Sequence, residues 1–163
     1  MEAGHEGSLW GLRSLMTRKA LFLLMQGNPS WVRHFMKPVI PNLLYRSSRP
    51  GYSGGAKVPV GMGQVQSWIE AAQALGIASI ICLLDEEHLC LYPDGDLLGI
   101  YRTAGFEVRH VPARDHSIPP LSQDQLAAVL SAYRELPKPV LIHCSAGLGR
   151  TGVAWAHILE NEQ

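Results

Sequence analysis

His143-Cys144-Ser145-Ala146-Gly147-Leu148-Gly149-Arg150-Thr151-Gly152 is the stretch around which the rest of the chain can be ordered. Before it stands Pro139-Val140-Leu141-Ile142, a short apolar run bounded by prolines that predicts a buried strand. After it, Val153 to Glu160 predicts a helix. A cysteine in a tight strand-to-helix loop sits where loop amides and the helix dipole favour its thiolate. The amides from Ser145 through Ala146, Gly147, Leu148 and Gly149 to Arg150 make a ready anion cradle. Gly147 and Gly149 supply backbone angles that other residues avoid. Arg150 follows Cys144 by six positions, and its planar fork can bind two oxygens of one phosphate. Thiolate, amides and guanidinium thus converge on a dianion. A buried cysteine in a nucleotide-binding turn would account for the glycines, but not for Cys144 and Arg150 together.

His-Cys-x5-Arg-Thr-Gly, as it stands at His143 to Gly152, resembles the signature of the cysteine-dependent protein tyrosine phosphatases, dual-specificity branch included. The resemblance is strong from Val140 to Gly152 and weaker back to about Leu43. There Tyr45-Arg46-Ser47-Ser48-Arg49-Pro50 is similar to the Tyr-Arg-Ser-x-x-Pro segment that leads from the family's first strand. It implies Cys144 as nucleophile and a phosphocysteine intermediate, with Arg150 and the loop amides holding the equatorial oxygens. Thr151 would donate its hydroxyl to the sulfur, and His143 would fix the loop through hydrogen bonds. The family also places a general acid about thirty residues before the cysteine. Asp115 lies 29 positions before Cys144, in the proline-stiffened loop Val111 to Pro120. Its rival, Asp124, falls in the first turn of a predicted helix, where carboxylates are favoured structurally. Asp94 and Asp96 fall in a turn, where aspartate is common. His116 reads as a loop histidine.

Outward from the loop, the chain alternates strands and helices. Leu43 to Arg46 predicts an edge strand, after a short helix or extended piece that runs to Pro38. Gln64 to Leu75 predicts a helix with Val65, Trp68, Ile69 and Ala72 on one face, stopped by Gly76. Ile77 to Leu84 predicts a fully buried strand. A helical turn over Glu86–Leu91, a turn at Pro93-Asp94-Gly95 and a helix over Leu97–Thr103 follow. Phe106 to Val111 predicts another strand, and Leu121 to Leu136 a helix capped by Ser122 with Gln125. The order predicts an α/β fold whose mostly parallel sheet has four to five strands flanked by helices, as in dual-specificity phosphatases. Residues 43–163 are expected to form the catalytic domain, with 1–42 a helical extension packed on it. Only thirteen residues follow Arg150, fewer than the resemblance implies, so the apolar face of Val153 to Leu159 is expected to lack its usual cover through truncation, or to be covered by that extension or a partner subunit.

The 163 residues are 47% apolar and 17% charged, against roughly 25% charged in average soluble proteins. Net charge is zero, so no general attraction to nucleic acid is expected. Leu9 to Met25 is basic and amphipathic, and Ser8 to Asn42 holds five Lys or Arg and no acid. Its apolar part, Ala20 to Met25, is too short to span a bilayer. A helix packed on the domain's own core is favoured over a membrane or partner helix, and neither a targeting segment nor membrane association is expected. Cys82, Cys90 and Cys144 cannot close a disulfide set, which suits a cytoplasmic location. Cys82 and Cys90 read as small apolar fillers, with Cys82 as a redox partner of Cys144 the lesser alternative. Arg49 reads as solvated or ion-paired, and Arg46 as paired with an internal carboxylate.

No metal or other cofactor is implied, because no histidine or cysteine pair has ligand spacing. The expected substrates are phosphorylated proteins, carrying phosphotyrosine and also phosphoserine or phosphothreonine. Ala146 and Leu148 stand where phosphoinositide-cleaving relatives often carry lysines, which argues against a lipid head group. A non-catalytic phosphoprotein-binding module is the main alternative. A rhodanese-like sulfurtransferase would not require Arg-Thr-Gly, and an arsenate reductase would want partner cysteines at other spacings.

Overall fold

The computed structural model describes residues 36–162. Five four-residue strands form one sheet: β1 (Lys37–Ile40), β2 (Leu44–Ser47), β3 (Ser79–Cys82), β4 (Glu107–His110) and β5 (Val140–His143). Their order across the sheet is β1-β2-β5-β3-β4. Pairings β2–β5, β5–β3 and β3–β4 are parallel, and β1–β2 is antiparallel. The helices are α1 (Met62–Ala74), α2 (Glu86–Leu89), α3 (Leu97–Thr103), α4 (Gln123–Glu135) and α5 (Gly149–Asn161). This is the expected α/β architecture with a mostly parallel sheet.

Side chains alternate across the strands, and this divides the core in two. Leu141 of β5, with Ile80 and Cys82 of β3, packs beneath α1 and α3 with Val65, Trp68, Ile69, Leu97 and Tyr101. Val140 and Ile142, with Ile81, face α4 and α5 and meet Val129, Ala132, Ala154 and Ile158. β3 and β5 are buried at every position, as expected of central strands covered on both faces. Ser122 and Gln125 form the expected capping box at the start of α4.

Two expectations change. Leu44–Ser47 is not an edge strand, because β1 covers its outer side and β5 its inner side. The edge is β1, a stretch expected to be a short helix or an extended piece ending at Pro38. Its proline and partial exposure suit an edge position. The helix expected from Val153 starts four residues earlier, at Gly149, so Arg150 and Thr151 belong to its first turn. The basic amphipathic stretch Leu9 to Met25 lies outside the described residues.

Register places the last residues of four parallel strands in one row: Ser47 beside His143, His143 beside Cys82, and Cys82 beside His110. The segments leaving that row therefore emerge side by side at the carboxyl edge of the sheet, where open α/β sheets bind ligands. They carry Ser48-Arg49, Cys144, Asp85 and Asp115.

Candidate active site

Cys144 leaves the central strand and is almost completely buried. Its sulfur accepts a hydrogen bond from the Gly147 amide at 3.3 Å, so the loop folds back over the thiol. Gly147 makes this return with φ of +76°. A Cβ there would lie 2.7 Å from the Ser48 amide nitrogen and still closer to the Ser47 carbonyl. Glycine is therefore required both by the backbone angle and by the approach of β2. The loop runs into α5, whose N-cap, Leu148, supplies no side-chain hydrogen bond. First-turn amides without a side-chain cap favour an anion.

On the β2 side, the loop is held by Arg49, only 1% exposed. Its amide donates to the Ser145 carbonyl at 2.9 Å. Its guanidinium donates to Ser145 Oγ at 3.2 Å, the Ala56 carbonyl at 3.2 Å and Tyr92 Oη at 3.4 Å. Arg49 is thus neither solvated nor ion-paired among the described residues, contrary to expectation. Buried cations need hydrogen-bond acceptors, and neutral ones serve here. Arg46 likewise has no carboxylate partner among the described residues, which corrects the expectation of an internal pair. Burial pushes the Tyr92 hydroxyl up to about 12, and it donates to the Pro50 carbonyl at 2.8 Å.

His143 is buried beneath the loop. Its Nδ1 faces the Cys144 carbonyl at 3.1 Å, which can only accept, so Nδ1 carries the proton. Nε2 then accepts from the Tyr101 hydroxyl at 3.0 Å. Burial brings the His143 pKa down to about 4, so the ring stays neutral. Trp68 stacks on Tyr101 at 5.2 Å and meets the imidazole edge-on at 5.4 Å. Its indole N–H donates to the Ser48 carbonyl at 3.0 Å.

On the β3–β4 side, Nη1 of the buried Arg150 donates to the Ala113 carbonyl at 2.6 Å and the Leu83 carbonyl at 3.3 Å. Nη2 lies 3.0 Å from Asp115 Oδ1, an ion pair without hydrogen-bond alignment. The segment carrying Asp115 follows β4, and further hydrogen bonds hold it in position. Ala113 N–H donates to Leu83 at 3.2 Å, and Gln125 Nε2 to the Pro112 carbonyl at 2.8 Å. Asp115, Cys144, Ser145, Gly149 and Arg150 line one open depression, with Tyr52 on its wall. The expected nucleophile, cation and acid are thus gathered in one place.

The remaining candidates separate. Asp124 lies in the first turn of α4, which Ser122 caps, and Asp96 accepts from Gly99 N–H at the start of α3. His116 is an exposed loop residue with φ of +56°. Thr151 Oγ1 is buried without a hydrogen-bond partner, so the expected bond to the sulfur is not formed. Cys82 is buried as a filler, and desolvation pushes its thiol up to about 12. Cys82 and Cys144 fall in the cores on opposite faces of the sheet. Cys90 is exposed, contrary to the expectation of a filler. The residues missed from sequence are Asp85 and His88. Asp85 caps α2 and accepts from the His88 amide at 3.1 Å. An aspartate at the end of an apolar strand, three positions before a histidine, was the available signal.

A family model described as "Polymorphic toxin system, DSP-PTPase phosphatase" matches residues 54–162. The chain belongs to this phosphatase family. Among solved structures, the phosphatase is similar to Tk-PTP in a mutant form, with 24% identity and a TM-score of 0.58 over 80% of this chain and 73% of that one. Kinase associated phosphatase (KAP), with its catalytic site cysteine substituted by serine, matches at 22% identity and TM-score 0.57, over 72% of this chain and 65% of that one. A putative phosphatase (DUF442) from Shewanella putrefaciens CN-32 matches at 19% identity and TM-score 0.56, over 78% and 72%. These likenesses carry the fold. No curated protein matches the phosphatase. Among its described residues, no helix is long and apolar enough to cross a membrane.

Proposed function

We propose that the chain hydrolyses phosphate monoesters through a phosphocysteine intermediate, with phosphotyrosine and other phosphorylated residues of proteins as its substrates. The observation that carries this is the convergence of Cys144, Arg150 and Asp115 on one depression, with the Gly147 amide bonded to the sulfur. Cys144 attacks phosphorus as the thiolate, forming the S–P bond while the P–O bond to the leaving group breaks. Arg150 and the amides of Ser145 to Arg150 hold the equatorial oxygens, and Arg150 exchanges its ion pair with Asp115 for the phosphoryl group. Asp115 protonates the leaving oxygen, then takes a proton from the water that cleaves the S–P bond and returns the thiolate. His143 keeps the loop in shape. Residues 43–163 supply the catalytic domain, joined by β1, with the preceding residues as an extension. A reducing, cytoplasmic setting suits the nucleophile.

The test is hydrolysis of p-nitrophenyl phosphate without added metal. Cys144→Ser should fall to background, and Asp115→Asn should lose roughly 10²–10³-fold in kcat. Turnover surviving in Cys144→Ser would overturn the mechanism. An inactive wild type that binds phosphopeptides would replace it with a binding module.

A further inference from the structure

Asp115 is the half-exposed member of the site, and an acid needs a fixed approach to the leaving oxygen. Asp85 Oδ2 accepts from the Asp115 amide at 3.1 Å, which fixes the backbone of the acid. Asp85 Oδ1 lies 2.8 Å from His88 Nδ1. His88 is 1% exposed, and its other nitrogen, Nε2, lies 3.7 Å from Asp115 Oδ2. One aspartate thus reaches Asp115 twice, directly through the main chain and through a buried imidazole to the side chain.

We propose that Asp85 and His88 form a clamp that positions Asp115 for proton transfer, a role that rests on the phosphatase reading above. The ionised Asp85 carboxylate can only accept, so the proton on His88 Nδ1 is fixed and Nε2 is turned toward Asp115. Partial burial pushes the Asp85 carboxyl up, but hydrogen bonds from His88 and the Asp115 amide outweigh this and hold it below its usual value. Between Nε2 and Oδ2 a single proton suffices in either state of the acid. A neutral Asp115 donates to the imidazole, and a charged one accepts from it. The 3.7 Å gap is the looseness expected of catalytic contacts before substrate binds. His116 Nε2 lies 3.6 Å from the same oxygen, but its ring is 95% exposed and competes with water. The other charged group facing Asp115 is Arg150, on Oδ1. Lys57 and Glu87 pair with each other at the outer edge of this cluster. Arg150 is to turn to the phosphoryl group, so His88 is the buried neighbour left to set the direction of the carboxyl group.

The test compares phenyl phosphate with p-nitrophenyl phosphate in the full chain. A poor leaving group depends more on its proton donor, so a misaimed acid is felt mostly there. In His88→Asn and in Asp85→Asn, the ratio of kcat/KM for phenyl over p-nitrophenyl phosphate should fall about tenfold. Combining His88→Asn with Asp115→Asn should add no further loss of that ratio. An equal loss on both substrates, or additive losses, would overturn the clamp. A second readout needs no turnover. The ¹⁵N shift of His88 Nε2 should move on Asp115→Asn, and that of Nδ1 on Asp85→Asn. An Nε2 signal unmoved by Asp115→Asn overturns the clamp, whereas a wild type inactive on both esters removes the phosphatase reading instead.

Discussion

On the β2 side of Cys144, the loop is held by groups whose protons stay in place. On the β3–β4 side, it meets groups whose charges are to be exchanged. The first side comprises Ser47, Ser48, Arg49, Trp68, Tyr92, Tyr101 and His143, mostly buried and satisfied by neutral partners. The second comprises Asp85, His88, Asp115 and Arg150, joined by close polar contacts and an ion pair, with Asp115 partly open to water. A frame made of neutral hydrogen bonds holds its shape when phosphate arrives, because no member must release an ionic partner. A contact such as Arg150–Asp115 can exchange one anion for another. The difference separates residues that set the loop from residues that act with it.

The severest way to break this division is Gly147→Ala. The substitution forces a side chain into a left-handed backbone conformation and against the Ser47 and Ser48 main chain. It should cost about 3 kcal/mol in stability, combining the backbone and overpacking penalties. Denaturant unfolding and kcat should both fall, with kcat reduced equally for phenyl and p-nitrophenyl phosphate. A variant of unchanged stability would show that the β2 contact is not part of the frame.

Next in size is the acid response of His143. Its folded pKa of about 4 lies below the unfolded value of 6.5. Between those values the unfolded chain binds the extra proton, so stability falls as pH drops and is fully present above about 6.5. The loss should approach order 3 kcal/mol by pH 4. Denaturation midpoints measured from pH 7 to 4 should show this slope in wild type and a shallower one in His143→Asn. Equal slopes would mean that the imidazole is not held neutral by burial.

Legibility from sequence follows the same division only in part. Cys144, Arg150 and the glycines between them could be read because one short loop must supply a nucleophile, a cradle and a cation at fixed spacing. β3, β5 and the helices could be read from apolar runs and periodicity. β1 could not, since Pro38 and Pro41 flank Val39-Ile40 and read as breakers until a neighbour pairs with the stretch. Arg49 was misread because an arginine among serines and glycines in a turn is ordinarily solvated. Its burial is decided by Ser145 and Tyr92, 96 and 43 positions away. His88 was hidden for a similar reason. Within Asp85-Glu86-Glu87-His88-Leu89 it looks like any helical-turn residue, and only the pairing of β3 with β4 brings it to Asp115.

The mildest test, Tyr101→Phe, draws the line most finely. It leaves the aromatic ring able to stack on Trp68 and removes only the hydroxyl that donates to His143 Nε2 at 3.0 Å. The imidazole nitrogen then has a buried lone pair and no donor, which should cost about 1–2 kcal/mol. The Nδ1–H bond to the Cys144 carbonyl survives, so the loop keeps one of the two constraints that orient the ring. Stability should therefore fall modestly, and kcat slightly, for every substrate alike. The ratio of phenyl to p-nitrophenyl phosphate hydrolysis should stay at the wild-type value, because the Tyr101 hydroxyl is bonded to His143 and not to Asp115 or His88. A fall in that ratio would mean that the tyrosine hydroxyl reaches the proton chemistry through His143, and the frame and the acting residues would then form a single network.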